Sequence, residues 1–142
     1  MKEFFKENKE VILPAALFLI VLILFSRMVF NSFAYDDLFI TFNWVIKTTI
    51  NPLYYFSQAK TLEIFFATQD VYRPLGVWFF ALEYRLFGMD PFYFHLISLF
   101  LHGLNAILLF LLLKKILEND AMSFVGSLIF AVHPATPETV AW

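Results

Sequence analysis

The sequence contains no cysteine and only four glycines in 142 residues. Without cysteine there is no disulfide framework, no thiolate metal site and no cysteine nucleophile. Charge is scarce as well: Asp, Glu, Lys and Arg make up 15% of the chain, where about 25% is usual for a soluble domain. The net charge of −2 gives no basic excess for nucleic acid, and no acidic run marks a solvated tail. No internal repeat or low-complexity tract is present. What fills the chain is apolar, with 61% hydrophobic residues, 20% aromatics and 20 phenylalanines. A soluble core of this size has no use for so much apolar surface, so a membrane is the expected solvent.

The charges are clustered, and their order gives the organisation. Residues 1–10 alternate Lys2, Lys6 and Lys9 with Glu3, Glu7 and Glu10. Residues 11–30 form an apolar run long enough to cross the hydrocarbon core, which takes about 20 helical residues. Pro14 is read into the first turn, and Arg27 at the far end can snorkel to headgroups. A signal peptide is the rival reading, but its apolar stretch is usually about 7–15 residues and this run is longer. Residues 31–90 hold most of the polar chemistry with many interleaved aromatics, as expected of interfacial helices in a non-cytoplasmic loop. One such helix is predicted from Asp36 to Thr48, ended by Asn51-Pro52. A second is predicted from Pro74 to Phe87, with Pro74 opening it and Gly88 capping it. Within it Leu75, Trp78, Phe79, Leu82 and Leu86 make one apolar stripe, with Glu83 and Arg85 off it. The stretch from Leu53 to Tyr72 stays open, with another short helix as one option.

Asp90-Pro91 opens a second span over residues 91–113, closed by Lys114 and Lys115. A cytoplasmic turn occupies 114–120, and a third helix starts residues 121–142 before meeting His133-Pro134. Lys2, Lys6, Lys9, Lys114 and Lys115 put the N-terminus and that turn in the cytoplasm. The expected fold class is an all-α integral membrane protein with two to three transmembrane helices and interfacial amphipathic helices in its first outer loop.

Four groups could carry chemistry. Asp36 and Asp37 follow the first span; adjacent carboxylates repel and suit a base role, a metal or a hydrogen-bonded acceptor, or else serve as a helix N-cap. Arg73 starts a helix, where a guanidinium beside free N–H groups suits a phosphate; the alternative is a snorkelling arginine paired with Asp70. His95, His102 and Asn105 lie along the second span, and without a carboxylate they read as interhelical hydrogen bonding rather than a metal site. His133 and Glu138 flank a break made by Pro134 and Pro137, with a purely structural His133 as the alternative.

Taken in order, these blocks resemble the N-terminal part of GT-C superfamily glycosyltransferases. They are Phe33-Ala34-Tyr35-Asp36-Asp37, Tyr72-Arg73-Pro74-Leu75, Leu86-Phe87-Gly88-Met89-Asp90-Pro91, Phe94-His95-Leu96 through Leu101-His102, and His133-Pro134 through Glu138-Thr139-Val140-Ala141-Trp142. The last block looks most like the membrane O-mannosyltransferases that carry tetratricopeptide repeats. The Asp pair and the Arg-Pro-Leu element look more generally like protein O-mannosyltransferases and aminoarabinose transferases. The resemblance implies a partial GT-C fold, a polyprenyl-phosphate-linked sugar as donor and a protein or glycan hydroxyl as acceptor. It implies Asp36 as catalytic base with Asp37 beside the acceptor, and Arg73, His133 and Glu138 as substrate-binding residues. No cofactor is implied with certainty; a divalent metal is allowed. Family members have more spans, so the chain is expected to be an N-terminal fragment, inactive alone, in a bacterial cytoplasmic membrane. The alternative is a small non-catalytic membrane protein whose helices bind a partner.

Overall fold

The computed structural model describes residues 9–34, 37, 41–57, 63–64, 67–68 and 72–135. They form an all-α fold of two compact units, one built from the residues up to Asn31 and from His95 onward, the other from Ser32 to Phe94.

In the first unit, α1 runs Lys9–Phe25 and tightens into a 3₁₀ turn over Ser26–Phe30. Pro14 lies inside this helix rather than in its first turn, because the helix already includes Lys9 and Glu10. The proline ring therefore removes the bond that would reach the Glu10 carbonyl. The 22 residues Lys9–Phe30 rise roughly 35 Å, enough to cross a bilayer. The long helix α5 runs Pro91–Leu117, a turn beyond Leu113, and also suffices. Only 17% and 28% of the most apolar stretches of these helices are buried, too little for core helices of a soluble protein. The helix α6, Asp120–Val132, is 13 residues long and rises roughly 20 Å, short of a full crossing. It starts where Asn119 accepts a hydrogen bond from the Met122 N–H.

The packed seams are narrow. Helix α1 buries Leu17, Val21 and Phe25, continued by Val29 at the same four-residue step. Helix α6 buries Ser123, Ser127 and Ala131, small residues that let backbones approach. Gly103 on α5 is filled by a neighbour: a Cβ there would lie 2.6 Å from Cδ2 of Phe18. At one end Lys114 Nζ meets Glu10 Oε1 at 3.0 Å and Asp120 Oδ1 at 3.4 Å, joining the start of α1, the end of α5 and the start of α6.

The second unit holds α2 (Trp44–Thr48), α3 (Pro52–Ser57), a two-residue antiparallel pairing of β1 (Glu63–Ile64) with β2 (Ala67–Thr68), and α4 (Pro74–Phe87). The open stretch after Leu53 thus contains both a short helix and this pairing. Buried Asn43 caps α2 by accepting from the Val45 N–H. Asn51 Oδ1 accepts from the Leu53 N–H and turns the chain into α3 at Pro52. The core is Ile46, Tyr55, Val77, Ala81 and Phe94, flanked by Phe33, Trp78, Phe80 and Tyr84. Two ring donors tie the segments together: the Tyr55 hydroxyl lies 2.7 Å from Thr49 O, and Trp78 Nε1 donates to Ile50 O at 2.9 Å.

Helix α4 has the bounds read from the sequence, and its end has a clear cause. Gly88 takes φ 68 and ψ −151, a conformation costly for any residue with a Cβ, while its N–H returns to Tyr84 O. Its buried face differs from the apolar stripe. Val77, Ala81 and Glu83 are buried, whereas Leu75 is 62% and Leu86 73% exposed. Val77 and Ala81 face the core, Trp78, Phe80 and Tyr84 pack against its edge, and the leucines at the two ends of the stripe point outward.

Candidate functional site

Asp37 closes the turn that follows the first span. Its Oδ2 accepts from the Ala34 N–H at 2.8 Å, while its own N–H donates to Ala34 O at 3.0 Å. The carboxylate serves the N–H three residues back, one half of a capping box, while the return bond is an ordinary backbone turn bond. The side chain is 3% exposed. Among the described residues the Asp37 carboxylate is thus tied back to the backbone of Ala34, not to the N–H groups of a helix that follows. Its neighbour Asp36 lies outside the described residues.

Arg73 precedes Pro74 at the head of α4, exposed, with its carbonyl accepting from the Val77 N–H. Among the described residues no side chain caps this helix end. Nothing lies within 4 Å of where a Cβ on Gly76 would stand, so the first turn is open on that side. An exposed guanidinium, an open N-terminal turn and the helix dipole all favour an anion.

His133 follows the last residue of α6 and is exposed, with its Nδ1 accepting from the Ala135 N–H at 3.2 Å. Glu138 lies outside the described residues. Asp37 and Arg73 belong to the loop unit and His133 to the helical unit. Among the described residues no group of three His, Asp or Glu could hold a metal ion.

Two histidines of α5 turn out to be buried, and one has a definite task. His102 Nε2 lies 3.0 Å from Ala131 O, so that nitrogen carries the proton and donates. The bond answers a local need. In a continuing helix the Ala131 carbonyl would accept from the N–H of Ala135, but that group has turned to His133, and Pro134 has none to give. The ring is braced edge-on by Phe25 at 5.8 Å. This is the interhelical hydrogen bond expected of a polar residue in a span, whereas Asn105 is exposed and outside that seam.

Glu83 was not foreseen from the sequence pattern. It is 4% exposed, its Oε2 has no hydrogen-bond partner among the described residues, and burial pushes its carboxyl up to about 8. The signal available was weak: Phe80 and Phe87 sit three before and four after it, and their rings stack on Phe94 and Tyr93. Tyr55, too, was unforeseen; burial, with Tyr54 nearby, pushes its hydroxyl up to about 12, so it stays a donor.

Comparison with known proteins adds the family context. Protein O-mannosyl-transferase TMTC1 of Homo sapiens is 45% identical over 71 residues, covering 49% of this chain. Protein O-mannosyl-transferase TMTC3 of Homo sapiens is 38% identical over 69 residues, also 49% of the chain. The tmtc2 protein of Xenopus laevis is 28% identical over 123 residues, or 84% of the chain. About half of this chain is thus similar to protein O-mannosyl-transferases at 38–45% identity, and most of it at 28%. It spans 8%, 7% and 15% of the length of those three relatives, respectively. No family model matches it, and no solved structure does.

Proposed function

We propose that these residues form the N-terminal part of a GT-C-type membrane glycosyltransferase. It moves a sugar from a polyprenyl-phosphate carrier to a hydroxyl of a protein or glycan on the non-cytoplasmic face. The observation that carries this is the open first turn of α4 beneath exposed Arg73, in a chain similar to O-mannosyl-transferases. Phosphate is the leaving group of such a carrier, and its charge develops as the glycosidic bond breaks. A guanidinium and unpaired helix N–H groups stabilise that charge. Asp36 is the proposed base that takes the acceptor's proton, and direct displacement would invert the anomeric centre. Asp37, fixed through Ala34, would set the position of Asp36. His133 and Glu138 would contact substrate at the break after α6. The membrane is either the bacterial cytoplasmic membrane or the endoplasmic reticulum.

The test uses membranes from cells expressing the full reading frame that contains these residues, supplied with polyprenyl-phosphate-linked mannose. Asp36→Asn should abolish transfer, and Arg73→Ala should raise the KM for the carrier at least tenfold. Unchanged transfer by Asp36→Asn would remove that residue from the mechanism, and an unchanged KM would remove Arg73.

A further inference from the structure

The loop unit has a second concave feature, away from Arg73 and Asp37. A cavity of about 160 Å³ opens between α2 and α4, with Lys47 and Arg85 on its walls. That is well below the roughly 300–1,000 Å³ of pockets for drug-sized ligands, and suits a single small group. Thr48, Thr49 and Tyr84 also line it, and no carboxylate does. Neither cation makes an ion pair among the described residues, and the Tyr84 hydroxyl has no hydrogen-bond partner there. Three donors, two of them charged, therefore face a space with nothing anionic in it. Glu83 precedes Tyr84 in the chain but is not part of the lining. With its carboxyl pushed up to about 8 by burial, it is mostly neutral at pH 7 and does not offset the two cations.

The rim narrows the choice of anion. Trp44 lies three residues before Lys47, and Leu86 adjoins Arg85; both are exposed, as is Ile50 on the cavity wall. Apolar and aromatic side chains beside basic ones mark a surface at headgroup depth, where cations meet lipid phosphates. Connectivity agrees, since the chain enters this unit from one membrane-spanning helix and leaves into another.

We propose that the Lys47–Arg85 cavity binds the phosphate of an anionic bilayer lipid, a site separate from the transfer reaction and independent of that reading. The guanidinium offers paired donors to two phosphate oxygens, and the ammonium supplies a point charge opposite. Acyl chains would lie over Trp44, Ile50 and Leu86.

The experiment reconstitutes the protein in vesicles of phosphatidylcholine containing phosphatidic acid, re-extracts it in mild detergent and quantifies bound headgroups by mass spectrometry. Phosphatidic acid should be enriched over its bulk share by up to roughly thirtyfold, the effect of two basic residues at a membrane surface. Lys47→Ala combined with Arg85→Ala should return the ratio to bulk, while Lys47→Arg with Arg85→Lys should keep it. Both residues are exposed, so these variants leave the core untouched. A charge-matched control, Arg27→Ala with Lys115→Ala, should retain the enrichment. Enrichment that survives the double alanine variant, or that the control loses equally, overturns the proposal. So does a Lys47- and Arg85-dependent response to inorganic phosphate alone with no lipid enrichment, which would make the ligand a free ion.

Discussion

Glu83 shows how far one residue can depart from its place in a sequence pattern. A buried carboxyl without a partner stays neutral, since ionising it there costs about 1.4 kcal/mol for each unit its pKa is raised. The sign follows from the raised value. Folded Glu83 keeps its proton up to about 8, whereas the unfolded chain loses it near 4.5. Stability should therefore fall as pH rises between those values and level off above the upper one. Glu83→Gln keeps the shape and removes the proton. It should be neutral near pH 4.5 and stabilising by on the order of 2–5 kcal/mol above pH 8. Thermal unfolding in detergent across that range is the check; parallel curves for the two proteins would mean that Glu83 finds a partner or water.

Among the elements, the ends of α4 were legible, while α5 runs a turn beyond the expected Leu113 and α2 begins only at Trp44. Pro74 and Gly88 bound α4 because these residue types answer backbone needs that do not depend on neighbours, whereas the Asn119 cap of α6 reads in the sequence as part of a turn. The stripe on α4 misled because apolar periodicity identifies a buried face only when water is the alternative solvent. Where lipid or an interface is the alternative, large side chains can stay outside and small ones decide which helices touch. The candidate site divides in the same way. Arg73 could be placed from its proline, but the Asp37–Ala34 bond and the His102–Ala131 bond depend on neighbours that no spacing reveals. Gly103 makes close approach testable. Gly103→Ala pushes a methyl group into the Phe18 ring and should cost about 1–3 kcal/mol of stability. Phe18→Leu should recover part of that in the double variant, measured by thermal unfolding in detergent. Additive costs would show that the two residues do not meet.

At the scale of the whole molecule, the sidedness of the helix ends is what can be tested. The structure brings the ends of α1, α5 and α6 together at Lys114, so the basic residues there share one side. The absence of cysteine makes the topology measurable without background labelling. Glu118→Cys and Ser57→Cys should react with an impermeant maleimide from opposite sides, Ser57→Cys in intact cells or sealed right-side-out vesicles and Glu118→Cys only after permeabilisation. Labelling of both from one side would contradict two membrane crossings.

The three-helix unit is fastened in two dissimilar ways. Around Lys114 the fastening is ionic and wet, with the Glu10 side chain 80% exposed, and dissolved salt screens it over about 10 Å at 0.1 M. At Ala131 it is one imidazole proton held among Phe25 and Phe130, beyond the reach of salt. Rising ionic strength would therefore let the charged end fray while the His133 end keeps its register, so the helices would splay from one side only.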